Sequence, residues 1–250
     1  MTEITNVAKR LIRQMGYDIR RLDRDQRHLR TTIADSYRLL RDLGLRPGTV
    51  IDVGVANGTM ELYSAFPQSY FLLIEPIGSF VPEMESILRR YNGSYVLAAA
   101  GPRSGQVIFN VHDEGLGGSS LYKESNGPQA DGHESTIPMI RIDDVLLEKQ
   151  LSPPYLIKVD VQGGELDVLE GGQRALEAAE AVSLEVSLFQ FFKGGPQFYD
   201  VVEYMKRRNF VVFDIVLAAN RPLDNALAQL DVVFVREEGM FRRSHLYSAA

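Results

Sequence analysis

From residue 49 onward, short β-branched or apolar runs alternate with helical segments, and this alternation restricts the fold more than any other feature of the chain. The runs are "TVIDVGV" (49–55), "YFLLIEP" (70–76), "YVLAAA" (95–100), "YLIKVD" (155–160), "AVSLEVS" (181–187), "FVVFDIV" (210–216) and "LDVVFVR" (230–236). Helix candidates lie between them near 60–66, 79–91, 164–178 and 197–208. Strand, helix and strand repeated in this way imply an α/β fold, with a mainly parallel seven-stranded sheet covered by helices on both faces. Only "LAANRPLDNALAQ" separates the last two runs, which favours a hairpin, so the last strand is expected to be antiparallel.

Residues 101–142 interrupt the pattern. "QVIFNVHD" and "TIPMIRID" read as a strand pair, and "EGLGGSSLYKESNGPQADGHES" between them as a long mobile loop of the kind that often covers an active site. From Asn6 to about Leu45 apolar residues such as Val7, Leu11, Met15, Ile33, Tyr37 and Leu40 recur at helical spacing until "GLRPGT" ends the pattern. The chain is thus expected to divide into an N-terminal helical extension (1–46), an α/β domain (47–240) with an insertion at 101–142, and a C-terminal tail (241–250).

Composition narrows the function classes. The 250 residues hold no cysteine, which removes disulfides, thiolate nucleophiles and cysteine-ligated metals, and fits a reducing cytoplasm. The opening "MTEITNVAKRLIRQMGYDIRR" is charged where a signal peptide needs an apolar run, and no later run approaches a membrane span, so a cytoplasmic protein without a membrane span is expected. Residues 1 to 46 carry a balance of +5, so the overall −6 leaves −11 for the rest. A basic arm of this kind suits a partner's acidic surface or a solvated helix face, whereas a net acidic chain without aromatic-basic interleaving argues against nucleic acid. The amphipathic arm is the candidate for pairing two subunits or for closing over an acceptor pocket.

The stretch "VIDVGVANGT" (50–59) ends a buried strand in a glycine turn, and "LLIEP" ends the next one. Ligands of open parallel sheets sit beyond such strand ends. The dinucleotide fingerprint G-x-G-x-x-G is absent, because the spacing here is Asp52-x-Gly54-x-Ala56-x-Gly58, and an acid before the first glycine repels a pyrophosphate. It suits a cationic ligand instead. S-adenosylmethionine carries a sulfonium and an ammonium and no phosphate, and Glu75 at the next strand end is placed to accept hydrogen bonds from both ribose hydroxyls. Taken singly, Asp52 reads equally as a helix cap and Glu75 as a surface acid.

These motifs resemble the FkbM-type methyltransferases, S-adenosylmethionine-dependent enzymes that mostly methylate hydroxyl oxygens. The resemblance runs from Val50 to Arg236 through "IDVGVANGT", "LLIEP", "GGSSL", "IRIDDVL", "LIKVDVQGGELDVLEGG", "LEVS" and "DVVFVR" in order. It implies a class I methyltransferase sheet and a cofactor held by Asp52, Gly54, Gly58 and Glu75. Val55, Asn57 and Thr59 of the turn, and Ala99 in the third run, complete that candidate set. Two departures stand out. Val55 and Ala56 occupy the family's Ala-Asn positions, with Asn57 one place later, and "DVQG" stands where many members have "DVEG", so Gln162 cannot act as a base.

Methyl transfer to oxygen is an in-line displacement in which the acceptor hydroxyl loses its proton, so a base belongs beside the acceptor. Asp160, ending "YLIKVD", is the first candidate for base or acceptor-orienting group; capping the next helix is its alternative. Glu185 in "VSLEVS" sits among residues expected to be buried, and reads as a second acid in the cleft or as a partner of Lys158. His112 is a further candidate base, as is His133; both flank the loop and both types of position are more often merely exposed. Ser119 and Ser120 are candidates to bond the cofactor carboxylate or a substrate hydroxyl, and the resemblance strengthens that assignment. Asp143 and Asp144 read as a helix start, and "LFQFF" (188–192) as a stacking platform or core packing. Two acids are too few to name a metal, so no metal ligand is assigned, although a divalent ion on Asp160 and Glu185 is an option. The expected function is O-methylation of a sugar, glycan or secondary metabolite. The alternatives are transfer to nitrogen and a cofactor-binding scaffold that has lost the acceptor site.

Overall fold

The structure is a computed structural model that describes residues 30–248. The chain divides between Arg30 and Thr31 into two units, and every described element belongs to the second. In order these are α1 (Ile33–Asp42), β1 (Thr49–Val53), α2 (Met60–Ala65), β2 (Tyr70–Glu75), α3 (Val81–Leu88), β3 (Gly93–Leu97), β4 (Ala99–Ala100), β5 (Gly105–Val111), β6 (His133–Ile140), α4 (Ile142–Glu148), β7 (Tyr155–Val159), α5 (Glu165–Glu170), α6 (Gln173–Glu177), β8 (Ala179–Ser187), α7 (Phe198–Lys206), β9 (Phe210–Asn220) and β10 (Leu227–Arg236). The expected helices before Thr31 lie outside the described residues. Among the described residues no helix is long and apolar enough to cross a membrane.

Seven strands form one sheet in the order β3-β2-β1-β7-β8-β10-β9. Neighbours from β3 to β8 are parallel, and β10, last in the chain, is inserted antiparallel between β8 and β9. Every residue of β1 and β7 is buried, as expected for central strands covered on both faces, which is why they read as unbroken apolar runs. Alternate side chains feed two cores. Ile51, Val53, Ile157 and Val159 face one, while Val50, Leu156, Ala181 and Val233 face the other together with Tyr37 and Leu40 of α1. Thr32 and Asp35 close a capping box at the start of α1, and the Tyr37 hydroxyl donates to Ser183 Oγ at 3.1 Å.

The insertion adds a second sheet, β4-β6-β5, in which β5 and β6 pair antiparallel as expected. The tail of "YVLAAA" supplies its third strand, because Ala99 and Ala100 leave the main sheet to pair with Met139 and Ile140. The loop between β5 and β6 is held down at several points. Ser120 exchanges backbone bonds with Asn110, and Ser125 is tied to Phe191 O at 2.7 Å and to Gln190 O at 2.6 Å. The expected single helix over 164–178 is split into α5 and α6 at Gly171 and Gly172, where the chain presses against the backbone of Gly101.

Candidate active site

The glycine turn after β1 is fixed by sterics and by one buried ion pair. Gly54 has φ +76°, and a Cβ there would lie 1.8 Å from the Asp160 carbonyl oxygen, so glycine lets the ends of β1 and β7 meet. Gly58 repeats the left-handed conformation at φ +89°, and Ala56 between them has φ +43°. Asp52 is fully buried, with Oδ1 at 3.1 Å from Lys158 Nζ and Oδ2 accepting from the Tyr63 hydroxyl. Lys158 also donates to Gly54 O at 2.7 Å, and the Thr59 N–H donates to the Tyr63 oxygen at 3.1 Å. Burial works against the Lys158 charge, but the Asp52 and Asp160 carboxylates outweigh it and hold the ammonium above its ordinary pKa. Lys158 therefore pairs with Asp52 and not, as one expectation had it, with Glu185. Asp52 is not among the residues lining the cavity, and its charge is met by Lys158.

A cavity of about 200 Å³ opens beyond the ends of β1, β2 and β7. Gly54, Ala56 and Glu75 line it, together with the apolar Ile77, Phe80, Phe109, Leu116, Ala98, Ala99 and Ala100. Asp160 and Gln162 line the same cavity. Glu75 Oε2 accepts the Ala56 N–H and Oε1 the Ile77 N–H, both at 3.0 Å, which orients the carboxylate in the wall. Burial raises its pKa, against the pull of those two N–H groups and Lys158.

Beyond Asp160 lies a row of acids on adjacent strands. Gln162 Nε2 donates to Asp160 Oδ1 and to Glu185 Oε2, each at 3.0 Å, and Gln229 Nε2 reaches the same Glu185 oxygen at 2.7 Å. Asp231 stands opposite Glu185 in the β8–β10 register. Burial first, and the Asp160 charge second, push Glu185 well above the usual carboxylate range and Asp231 up to about 6. Asp160 and Glu185, expected in one cleft, are thus brought together by a residue the sequence argument had dismissed as a base.

Other candidates are placed differently. Val55 is packed in the core, Asn57 is exposed, and Gly58 and Thr59 shape the turn without reaching the cavity wall. Ala99 and Ser119 do line the cavity, and the Ser119 Oγ accepts the His112 N–H at 3.0 Å. Ser120 is buried and spends its hydroxyl on the Gln162 carbonyl at 2.6 Å. His112 is not brought to the cavity, since its ring lies against Gly118 with Nε2 3.1 Å from Glu124 Oε1. His133 is exposed beside Asp113. Asp143 caps a helix other than its own, its carboxylate accepting the Arg174 and Ala175 N–H groups of α6. Among the described residues no group of three or more His, Cys, Asp or Glu side chains is placed to hold a metal ion. Tyr63, Gln229 and Asp231 were missed. Asp231, an acid inside the apolar run "LDVVFVR", carried the same signal as Glu185; Tyr63 and Gln229 carried none.

A parallel sheet with its last strand inserted antiparallel next to the edge, and a cavity at a glycine turn and a strand-end acid, make this a class I methyltransferase fold. The Methyltransferase FkbM domain matches residues 52–212, and the chain belongs to that family. A curated relative, Methyltransferase 1 of Beauveria bassiana, is 30% identical over 142 residues, 49% of this chain and 57% of that protein. The chain thus spans little more than half of that relative's length. Among solved structures, an rRNA methylase from Streptococcus thermophilus matches with a TM-score of 0.47 at 12% identity over 83% of this chain and 98% of its own. Magnesium protoporphyrin IX methyltransferase from Synechocystis, with bound S-adenosylmethionine, matches with a TM-score of 0.46 at 11% identity over 94% and 98%.

Proposed function

We propose that the chain transfers a methyl group from S-adenosylmethionine to a hydroxyl oxygen of a sugar, glycan or secondary metabolite. The observation that carries this is the cavity beyond the strand ends, lined together by an oriented carboxylate, a set of apolar side chains and a second, partly exposed carboxylate. The groups present fit a phosphate-free nucleoside. Glu75 keeps acceptor capacity for the two ribose hydroxyls, the apolar Ile77, Phe80 and Phe109 suit a flat base, and among the described residues no Lys, Arg or His lines the cavity to call for a phosphate. The bound cofactor supplies a methyl group made electrophilic by its sulfonium.

The chain's own residues do the rest. Gly54 and Ala56 would present backbone to the cofactor, and Asp160 would face the acceptor. The Asp160 carboxylate would take the hydroxyl proton and so leave the acceptor oxygen free to accept the methyl group that the cofactor would supply. With Asp52 neutralised by Lys158, the negative charge available to a cationic ligand comes from Glu75 and Asp160.

Calorimetry with S-adenosylmethionine and S-adenosylhomocysteine tests the first half. Glu75→Ala should weaken S-adenosylhomocysteine at least tenfold, the loss of two hydrogen bonds to a charged group. No binding to the folded wild type would sink the proposal. Incubation with methyl-labelled cofactor and fractionated metabolites or glycans, followed by product analysis, then separates oxygen from nitrogen as the acceptor atom.

A further inference from the structure

Gln162 is a non-glycine residue with φ +58°, followed by Gly163 at φ +93°. Such a conformation costs free energy and persists only where its surroundings fix it. Two contacts do so. The buried Ser120 hydroxyl donates to the Gln162 carbonyl at 2.6 Å, and the Phe192 ring packs so closely on Gly163 that a Cβ there would lie 3.0 Å from it. The turn so held aims one amide nitrogen between two carboxylates. Each of its two hydrogens serves a different acid, Asp160 Oδ1 and Glu185 Oε2, both at 3.0 Å. A glutamate at this position would have no such hydrogens and would crowd a third acid against the other two.

We propose that Gln162 is a positioning residue whose side-chain amide, held in place because Ser120 anchors the Gln162 main-chain carbonyl, bridges Asp160 and Glu185 into one coupled pair of acids beside the cavity. The inference rests on the methyl-transfer reading. Asp160 lines the cavity and receives the acceptor proton; Glu185 does not line it and acts through Asp160. The titratable groups around the pair come from five elements: Lys158 on β7 at 3.8 Å from Asp160 Oδ2, Asp231 on β10, Glu165 on α5, Asp52 on β1 and the neutral Tyr37 on α1. Burial, with the Asp160, Asp231 and Glu165 carboxylates around it, disfavours a negative charge on Glu185. A single negative charge spread over the pair avoids that cost, and the Gln162 amide, bonded to both carboxyls, stabilises it on either.

The full-length protein, labelled with ¹³C at Asp and Glu carboxyls, tests this by NMR titration, with S-adenosylhomocysteine binding measured on the same sample. In the wild type the Asp160 and Glu185 resonances should both respond in each of two titration steps. Gln162→Gly accepts the left-handed backbone, so the turn keeps its path while the amide is lost. The upper step should then move up by about one pH unit, because the donor that favoured the charged form is gone. Ser120→Ala, which keeps the amide but frees the turn, should move it the same way by less. An upper step that is unchanged or lowered in Gln162→Gly, in protein whose wild type binds S-adenosylhomocysteine, overturns the positioning role alone. A folded wild type that binds no S-adenosylhomocysteine overturns the methyl-transfer reading and this inference with it.

Discussion

Asp52 and Lys158 form the ion pair on which the glycine turn rests, and the strength of that dependence is measurable. Both are buried, and removing one partner leaves the other charged and without compensation. Lys158→Met is therefore expected to lose roughly 3–5 kcal/mol in urea denaturation, whereas Asp52→Asn with Lys158→Met should recover part of that loss. Glu165 gives a second residue-level prediction. It is buried, accepts the Gly163 N–H at 2.9 Å, and burial pushes its pKa from 4.5 to about 7. A carboxyl that keeps its proton longer when folded contributes stability that is full below about 4.5 and lost as pH rises towards about 7. The loss is on the order of 3 kcal/mol. Thermal unfolding across that range should show the decline, and Glu165→Gln should flatten it, since its amide oxygen still accepts the Gly163 N–H. Glu75 and Asp160 were legible because each is an acid that ends an apolar run. Asp52 was legible as a residue but not in its role, because the lysine that meets its charge stands on β7, a neighbour in the sheet and not in the sequence.

At the scale of elements, the alternation of apolar runs located every strand of the main sheet, since a central strand must be apolar on both faces whatever its neighbours are. What it could not locate were features decided by contact between distant segments. Helical periodicity runs unbroken through 164–178, yet the chain breaks there into α5 and α6. Gly171 is the cause: its φ of −77° is ordinary, but a Cβ would sit 2.0 Å from the Gly101 carbonyl oxygen, 70 residues earlier in the chain. Gly171→Ala sets two effects against each other. Alanine gains about 1 kcal/mol of helix propensity, and the overlap with backbone, which has no flexible side chain to yield, costs on the order of 1–3 kcal/mol or more. Net destabilisation is expected in chemical denaturation, with Gly117→Ala, which meets nothing within 4 Å, as the near-neutral control. Asp143 is the same lesson in a polar form. Its place beside Asp144 suggested the start of α4, but its carboxylate closes the first turn of α6 because α4 and α6 are neighbours in space and not in sequence.

For the whole molecule, the question is where the folding unit begins. The break "GLRPGT" suggested a boundary near residue 46, with everything before it appended. Instead α1 delivers Tyr37 and Leu40 into the core shared with Val50, Leu156 and Val233, and Leu45 after it is buried as well. The sequence hid this because an amphipathic helix shows that it has a partner without showing which one. Each of those side chains contributes about 1.5–3 kcal/mol by burial, and the Tyr37–Ser183 hydrogen bond adds to it. Three such contributions are comparable to the whole stability of an ordinary domain, about 5–15 kcal/mol. A chain begun at Thr31 retains the capping box and α1, and should unfold in one cooperative transition. A chain begun at Arg46 lacks all three side chains and exposes the apolar face of β1, β7 and β8, so it should show no cooperative transition and should bind apolar dyes when cold. Calorimetry of the two truncations side by side decides it: equal melting temperatures would mean that α1 is dispensable and that the core closes without it.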